Sequence, residues 1–413
     1  MKGKNILILG TLDTKGEAIL FLRYRIVQRG CNAIIVDLST GGESLSKADI
    51  GPPEIARAAG KRIEDIYASK DRSAVTPVME AGAIKIIKEL YSRGNLDGMI
   101  AVGGASMALM AAHIMKGFGF GMPKMIVCPA AMPAYIGYWF GTMDVAIMQS
   151  IVEFAGLNDL LKDALTRAAG AICGMAEEAS TSAVLRIPKG SIAITQYGFS
   201  ENCARFVRSH LEERGYAVYP FHANGVSDRA MDSLIDQGYF DGVIDIVPAG
   251  VIEEIFEGHR AAGPNRLEAA GKRGIPQVIA PCSLNLTGCG PTRKHYEKYA
   301  SREKVLKVDE MRAGTRFNDE ELKIGAKAYA EKLNKAKGPV SILIPLRGWS
   351  SLDREGSILY DPEGDMVFVE ELRRHLKPDV EIEEMDCNLE DPPFGLALVE
   401  KLEALFGGTK AAT

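Results

Sequence analysis

The sequence has no apolar stretch that approaches the roughly 20 consecutive apolar residues of a membrane span. Lysines near the amino terminus precede a short apolar run, but this run ends at Gly10. A run of about five residues is too short for the apolar region of a signal peptide, so it is predicted to be a core strand. These absences predict a cytoplasmic protein with no membrane partner.

An excess of basic residues is also lacking. The 49 Lys and Arg residues are outnumbered by 54 Asp and Glu residues, which gives a formal net charge of −5. The basic residues are scattered among acidic ones along segments with helical periodicity. Because nucleic acids and anionic membranes require a concentrated basic face, neither is an expected partner.

Motifs for metal binding and nucleophilic catalysis are missing as well. The seven cysteines contain no CxxC pair, and the six histidines show neither i,i+4 pairing nor Cys/His spacing. We expect reduced thiols and assign no metal site. Mg²⁺ is left open, because phosphates hold it with few protein ligands. There is no GxSxG elbow.

What the sequence does contain is a regular alternation of short apolar strands with amphipathic helices. This pattern occurs twice in 413 residues, and short phrases match between the halves, such as DGMI at 97–100 and DGVI at 241–244. We predict an α/β fold of two Rossmann-like parallel-sheet domains related by internal duplication, with a ligand cleft between them. Chance similarity is the alternative to duplication. The predicted domains cover residues 1–182 and 188–408, and the second includes an extra strand–helix tail.

Ligands of parallel sheets bind beyond the carboxyl ends of the strands, so the residues after each predicted strand are the candidates for a site. The first strand runs into the turn GTLDTKG, which is neither a P-loop nor a GxGxxG motif. An ordinary helix cap, with the lysine in solvent, explains this turn as well as phosphate contact does. Its candidate ligand contacts are Gly10, Thr11, Asp13, Thr14 and Lys15.

The third strand runs into a second candidate turn that contains Gly103, Gly104 and Ser106. Paired glycines between a buried strand and a helix let the backbone approach a ligand, which favours binding of phosphate or carboxylate. Close packing of the helix on the sheet is the alternative. After the fourth strand, an aromatic segment at 135–140 precedes Thr142 and Asp144. This segment is suited to stacking on a base, or to burial under a loop or in a subunit contact.

In the second half, His222 follows a predicted strand, a position suited to acid–base chemistry. Arg229 can pair with a phosphate or carboxylate. The alternative for His222 is that it orients a loop. The alternative for Arg229 is a position on the surface. Asp245 is the second candidate catalytic residue. Further candidate ligand contacts at strand ends are Asn285, Arg347 and Gly348.

Five motifs in this order, GTLDTKG, VGGAS, GTMD, HANGVSDRAM and RGWSSLDREG, resemble the family named for the ATP-binding N-terminal region of the tomato mosaic virus resistance protein. The resemblance covers residues 1–406 and implies two Rossmann-like domains, ATP binding and a homodimer or higher homo-oligomer. In the plant relative this region inhibits a viral replication protein and a TIM-barrel domain follows it. The plant glycine turn is closer to GGSGG, whereas this sequence has GGASM at 103–107.

We expect the protein to bind ATP or a related phosphorylated small molecule. One form of this hypothesis is an enzyme that acts on a small carbohydrate- or carboxylate-like metabolite, with ATP as substrate or effector. The alternative form is a non-catalytic, nucleotide-responsive binding or regulatory protein, which the missing phosphoryl-transfer motifs favour. A nicotinamide enzyme is disfavoured because GxGxxG is missing ahead of Asp37.

Overall fold

The computed structural model of the chain divides into two compact units, Met1–Val184 and Leu185–Thr413. It describes residues 3–42, 46–130, 137, 139–179 and 189–410. Each unit has its own parallel sheet and its own apolar cores. Among the helices within those ranges, none is both long and apolar enough to cross a membrane.

The first unit is built on a five-stranded sheet in the order β2-β1-β3-β4-β5, with every pair of neighbours parallel. Its strands are β1 (Asn5–Gly10), β2 (Asn32–Asp37), β3 (Gly98–Val102), β4 (Lys124–Val127) and β5 (Ala146–Met148). Its helices are α1 (Leu12–Gln28), α2 (Pro52–Ala58), α3 (Ile63–Ala68), α4 (Arg72–Ser92), α5 (Ala105–Met115) and α6 (Asp159–Ala179).

Two apolar cores cover the two faces of this sheet, because successive side chains of a strand point to opposite faces. Along β1, Leu7 and Leu9 join the core that α2 to α5 complete. Ile6 and Ile8 join the opposite core, which α1 and α6 complete. All four side chains are fully buried, as expected for a parallel sheet with helices on both faces.

The second unit is built on a six-stranded parallel sheet in the order β7-β6-β8-β9-β13-β14. Its strands are β6 (Ser191–Gln196), β7 (Ala217–His222), β8 (Gly242–Asp245), β9 (Gln277–Ile279), β13 (Val340–Pro345) and β14 (Glu381–Met385). Its helices are α7 (Glu201–Glu213), α8 (Val226–Asp236), α9 (Gly250–Ile255), α10 (Ala269–Arg273), α11 (Tyr296–Ala300), α12 (Asp319–Leu333), α13 (Pro362–His375) and α14 (Pro392–Lys410).

A small antiparallel sheet is inserted in the second unit between β9 and α12. Its strands are β10 (Leu286–Gly288), β11 (Val305–Lys307) and β12 (Ala313–Arg316), and β12 lies in the middle. The chain enters this insertion from the carboxyl end of β9. The amino-acid pattern does not predict this sheet, because its strands are only three or four residues long.

The prediction of two Rossmann-like parallel-sheet domains is confirmed. Counted within its own unit, each large sheet has the strand order 2-1-3-4-5, and the second sheet adds a sixth strand. Duplication predicts such a shared order, but many doubly wound proteins have it, so the duplication stays a prediction. Two short helices, α2 and α3, lie in the long segment between β2 and α4.

Candidate functional site

The switch point of the first sheet lies between β1 and β3, which are neighbours although they are not consecutive in the chain. After β1 the chain enters α1 on one face of the sheet, and after β3 it enters α5 on the other face. The two loops therefore part at the carboxyl edge and leave a crevice, where ligands of doubly wound sheets bind. Both turns singled out from the sequence lie there.

The turn after β3 has a backbone that only glycine adopts readily. Gly103 has φ +154°, and a Cβ on it would come within 2.7 Å of Met107 Cβ. Gly104 has ordinary dihedral angles, and no atom of the described residues lies within 4 Å of the position of its missing Cβ. Close packing against Met107 explains Gly103. The open space beside Gly104 would instead let a ligand approach the backbone.

Helix α5 begins directly after this turn, at Ala105, without a side-chain cap from any residue that the structure describes. The N–H groups of its first turn have no partners within the helix. Their partial positive charge attracts anions. Ser106 is exposed in the same turn and adds a hydroxyl group. This arrangement is suited to holding a phosphate group.

The turn after β1 differs, because an internal carboxylate already occupies the start of α1. Asp37 Oδ1 accepts hydrogen bonds from Leu12 N–H at 2.9 Å and from Ser39 N–H at 3.1 Å. The Asp13 N–H donates to Ser39 Oγ at 3.2 Å. The first amides of α1 are thus engaged, so the predicted phosphate contact through this turn is not supported.

The other candidates in this turn contact protein groups. Lys15 Nζ donates to the Phe154 carbonyl at 2.8 Å, which ties α1 to the loop before α6. The Thr11 and Thr14 hydroxyls lie 2.9 Å apart. A Cβ on Gly10 would come within 2.5 Å of Ile19 Cδ1, so this glycine lets α1 pack against β1. The predicted solvent position of Lys15, one of the two alternatives, is not observed.

Asp13 is the residue of this turn with unused hydrogen-bonding capacity. Its Oδ2 accepts from the Gly41 N–H at 3.2 Å. Its Oδ1 is buried and has no hydrogen-bond partner among the described residues. A buried acceptor without a partner costs free energy, so a ligand hydroxyl or a cation near Asp13 would be stabilising.

Asp144 lies at the opposite edge of the sheet, which is a correction of its predicted role in ligand binding. It accepts from Lys124 Nζ at 2.6 Å, and Lys124 is the buried first residue of β4. The pairing of Met125 with Ala146 places this ion pair at the amino ends of β4 and β5. Thr142 precedes it by two residues in the same loop. Neither residue is brought to the carboxyl edge.

Only part of the aromatic segment at 135–140 falls within the described residues, and Tyr135 and Tyr138 lie outside them. Phe140 is buried in the core beside α5, and Trp139 packs against that core. Their rings contact edge to face with centroids 6.2 Å apart. For Phe140, burial rather than base stacking is observed.

Asp245 lies in a buried ionic cluster of the second unit, and this geometry does not support its predicted catalytic role. Its Oδ1 accepts from Thr195 Oγ1 at 2.8 Å, and its Oδ2 lies 2.6 Å from Arg266 Nη2. The same guanidinium is 3.2 Å from Asp228 and 3.6 Å from Asp232. One arginine thus faces three carboxylates.

Burial raises the pKa of two of these acids, Asp245 and Asp232. Burial raises the pKa of Asp245, although Arg266 opposes the shift. Burial also raises the pKa of Asp232 to about 7, again against Arg266 and with Asp245 and Asp228 adding to the rise. Because one guanidinium faces all three carboxylates, protonation of Asp232 lowers the repulsion among them.

His222 and Arg229 are both exposed. The His222 ring stacks on Tyr197 with centroids 5.1 Å apart, at the wall of a cavity of about 500 Å³. Arg229 Nε donates to the Gly225 carbonyl of its own helix start at 3.2 Å. Arg229 lines a different cavity of the second unit, near Arg266. His222 and Arg229 therefore line two different cavities of the second unit.

Asn285 is part of a fully buried polar network rather than of an open site. Its amide donates to Asp353 at 2.6 Å and to Asp365 at 2.7 Å. Arg316 pairs with both of these carboxylates. Burial raises the pKa of Asp365 well above its usual range, with Arg316 opposing. This network joins the small sheet to α13 and to the turn after β13.

Arg347 and Gly348 follow β13, at the carboxyl edge of the second sheet. Arg347 pairs bidentately with Asp386, at 2.6 and 2.7 Å, and both side chains are exposed. Gly348 has φ +99°, and a Cβ on it would lie 1.7 Å from the Asp353 carbonyl oxygen. Gly348 therefore serves the turn.

The sequence does not point to several buried charges of the second unit that the structure reveals: Glu253, Arg260, Arg266, Arg316 and Asp365. Most lie in or near helices, where single charged residues are ordinarily solvent-exposed. Their burial follows from the tertiary fold, and no local sequence pattern indicates it. Among the described residues, no group of three or more His, Cys, Asp or Glu side chains is arranged to hold a metal ion.

Comparison with known proteins identifies relatives over nearly the whole chain. Two family profiles match, the N-terminal domain of the uncharacterised protein family UPF0261 at residues 4–181 and its C-terminal domain at 189–406. A UPF0261 protein of Clostridium tetani is 35% identical over 97% of this chain and 98% of its own length. The tomato protein "ToMV resistance protein Tm-1(GCR237)" is 27% identical over 96% of this chain, which corresponds to 55% of that longer protein.

A solved structure, a putative UDP-N-acetylglucosamine 2-epimerase from Listeria monocytogenes, aligns with 67% of this chain and 79% of its own. The aligned residues are 13% identical and the TM-score is 0.24. A score this low supports no conclusion about fold or function.

Proposed function

The chain belongs to the uncharacterised protein family UPF0261, and we propose that its first unit binds ATP or a related phosphorylated small molecule. The observation that carries this proposal is the open space beside Gly104, directly before the uncapped start of α5. It lies at the switch point of the sheet, where doubly wound proteins bind their ligands. The resemblance of the sequence motifs supports ATP over other phosphorylated ligands.

In this proposal the N–H groups at 105–107 hold a phosphate group, and the Ser106 hydroxyl adds a further donor. The absence of a Cβ on Gly104 lets phosphate oxygens approach the backbone. Helix α1 does not share this task, because Asp37 already accepts from its first N–H group. When bound, ATP would supply a transferable phosphoryl group or a signal of nucleotide concentration.

In this proposal the carboxylate of Asp13 contacts a part of the ligand other than the phosphate oxygens. Its buried Oδ1, on the second residue of α1, lacks a partner among the described residues. A carboxylate repels phosphate but accepts hydrogen bonds from hydroxyl groups and binds Mg²⁺. A ribose hydroxyl, or Mg²⁺ carried by the phosphates, therefore suits this oxygen.

Two forms of the proposal differ in whether ATP is turned over. Asp245 is enclosed by Thr195 and Arg266, whereas His222 is exposed and stacked on Tyr197. The two candidate catalytic residues thus have different surroundings, which favours the non-catalytic, nucleotide-responsive form. Incubation with Mg²⁺-ATP, alone and with a pool of sugar acids and carboxylic acids, separates the forms. Release of ADP or phosphate above a blank would establish the enzyme, and unchanged ATP the binding protein.

Identification of the ligand that co-purifies with the protein tests the proposal without any choice of ligand beforehand. The protein is denatured and the released small molecules are analysed by mass spectrometry. We expect an adenine nucleotide or another phosphorylated compound in stoichiometric amount. Release of a stoichiometric non-phosphorylated compound whose binding Gly104→Val abolishes would contradict it. Light scattering with and without ATP tests the accompanying expectation of a homodimer or higher homo-oligomer.

A further inference from the structure

A cavity of about 500 Å³ lies within the second unit, at the carboxyl edge of its large sheet. Tyr197 and Phe199 follow β6, and His222 ends β7, so this edge supplies one wall. The small sheet supplies the opposite wall with Leu286, Leu306, Ala313 and further residues. This size and a largely apolar lining are typical of sites for small organic ligands.

Arg260 is a buried cation in the lining of this cavity, with 7% of its surface exposed. Its Nε and Nη2 donate to Glu253 Oε1 at 3.2 and 2.8 Å, and Nη2 also donates to the Leu286 carbonyl at 2.7 Å. Its Nη1 has no hydrogen-bond partner in the described part of the chain. A buried guanidinium with one unsatisfied edge carries a desolvation cost that a ligand acceptor would remove.

The ring of Tyr197 covers this guanidinium, with Arg260 Cζ 5.3 Å from the ring centroid. Nη1 itself is shielded from solvent. The Tyr197 ring also stacks on His222, with centroids 5.1 Å apart. Ligand access to Nη1 therefore requires a side-chain movement, for which the Tyr197 ring beside the guanidinium is the candidate.

We propose that this cavity binds a small organic acid, whose carboxylate pairs with Nη1 of Arg260 and whose apolar or planar body contacts the small sheet. The apolar lining residues Leu286, Leu306 and Leu359 suit such a body. Tyr197 and His222 offer planar rings for stacking on an unsaturated ligand. This site lies within the second unit and does not depend on nucleotide binding by the first.

A carboxylate fits this cavity better than a phosphate group does. Glu253, which is fully buried, already balances the charge of Arg260, so little positive charge is left for a dianion. Only one amino group of the guanidinium is unpartnered, which matches one carboxylate oxygen rather than three phosphate oxygens. The second lining arginine, Arg312, pairs with Asp309 in an exposed position.

The test measures binding of matched acids and neutral analogues to the full-length protein without nucleotide, by ligand-observed NMR and calorimetry. The acids are acetate, benzoate, 4-methylpentanoate, phenylpyruvate and indole-3-acetate, and the neutral analogues are the corresponding amides. Inorganic phosphate is a separate arm. We expect saturable binding of at least one larger acid, at least tenfold tighter than its amide and than phosphate. Failure of every acid to bind, or equal binding of acid and amide, would overturn the proposal.

Two variants locate the binding site. Arg260→Lys keeps the charge beside Glu253 but loses the planar fork, and we expect acids to bind at least tenfold more weakly while amides are unaffected. Gly314→Leu fills the cavity from β12, where among the described residues a Cβ would meet only the Thr287 carbonyl oxygen within 4 Å, at 3.8 Å. It should abolish binding of acids and amides alike.

Arg373→Lys is the matched control, because Arg373 is an exposed arginine of α13 that pairs with Glu384. It should bind the acids as the wild type does. If Arg260→Lys does not fold, as judged by circular dichroism, Gly314→Leu alone decides. Wild-type affinity for acids in a folded Gly314→Leu or Arg260→Lys variant would overturn the proposal. The ATP proposal is unaffected by either result, because no nucleotide is present.

Discussion

Asp37, the last residue of β2, accepts a hydrogen bond at 2.9 Å from the backbone N–H of Leu12, the first residue of α1. The carboxylate is buried and also receives the Ser39 N–H. An internal anion thus occupies the helix start that a phosphate would otherwise use. The proposed phosphate site is therefore at α5, on the other side of the switch point.

Removal of this internal cap should destabilise the first unit. Asp37→Ala leaves Leu12 N–H and Ser39 N–H without their acceptor, so the free energy of unfolding should fall by about 1–3 kcal/mol. Urea unfolding followed by circular dichroism measures this change. Asp163→Ala, which removes an exposed i,i+4 pair with Arg167, should change it by less than about 0.5 kcal/mol. Equal effects of the two variants would show that Asp37 is not a cap.

The Lys124–Asp144 pair should be essential to stability rather than to ligand binding. Asp144→Ala strands a buried ammonium group, which typically costs about 3–5 kcal/mol. Asp386→Ala, which breaks the exposed pair with Arg347, should change stability much less, because exposed ion pairs contribute little. Thermal unfolding of both variants checks this contrast. A small effect of Asp144→Ala would argue against its structural role.

Asp232 should make stability depend on pH in the direction opposite to that of an ordinary ion-paired carboxylate. Its pKa is raised to about 7 in the folded state, against about 3.9 in an unfolded chain. Between about pH 4 and 7 the folded protein holds a proton that the unfolded chain has released. The contribution of Asp232 to the free energy of unfolding therefore falls as pH rises through this window, by up to about 1.4 kcal/mol per pH unit, and is constant above it.

The variant Asp232→Asn removes this titration. Its free energy of unfolding, relative to that of the wild type, should increase as pH rises from 4 to 7 and then level off. Ser233→Ala, at the next residue of α8, removes no titrating group and should differ from the wild type by a constant amount. Chemical unfolding at several pH values gives both curves. A constant difference for Asp232→Asn would contradict the raised pKa.

Alanine variants of two glycines after β13 distinguish the cost of backbone strain from the cost of a steric clash. Gly348→Ala must adopt φ +99° and place a Cβ 1.7 Å from the Asp353 carbonyl oxygen, so it should lose at least about 2 kcal/mol. Gly356→Ala has a similar φ of +87° but no described atom within 4 Å, so only the backbone penalty of about 1–2 kcal/mol applies. Urea unfolding should rank Gly348→Ala as the less stable variant. The reverse order would show that the clash is relieved.

The alternation of apolar and amphipathic segments was enough to predict both parallel sheets. It also placed Gly103 and His222 at strand ends, because strand ends follow directly from where apolar runs stop. Asp144 was misplaced, since a residue between two strands can lie at either edge of the sheet. Only the register of β4 with β5 assigns it to the amino edge.

The sequence does not predict the buried ion pairs, for a different reason. Arg260 and Glu253 are seven residues apart, and nothing local distinguishes them from surface charges. Their burial depends on the small sheet, whose strands of three or four residues carry too little periodicity to predict. The cavity of the second unit was missed because its walls come from distant parts of the chain.

The central claim is that the turn at Gly104 holds the phosphate groups of a nucleotide. Calorimetric titration of Mg²⁺-ATP compares the wild type with Gly104→Val, which fills the open space beside the backbone. The control is Gly174→Val, on α6, where a Cβ also meets no described atom within 4 Å. The account predicts saturable binding by the wild type and Gly174→Val, and at least tenfold weaker binding by Gly104→Val. No saturable heat for the wild type, or equal affinity of the two variants, would contradict it.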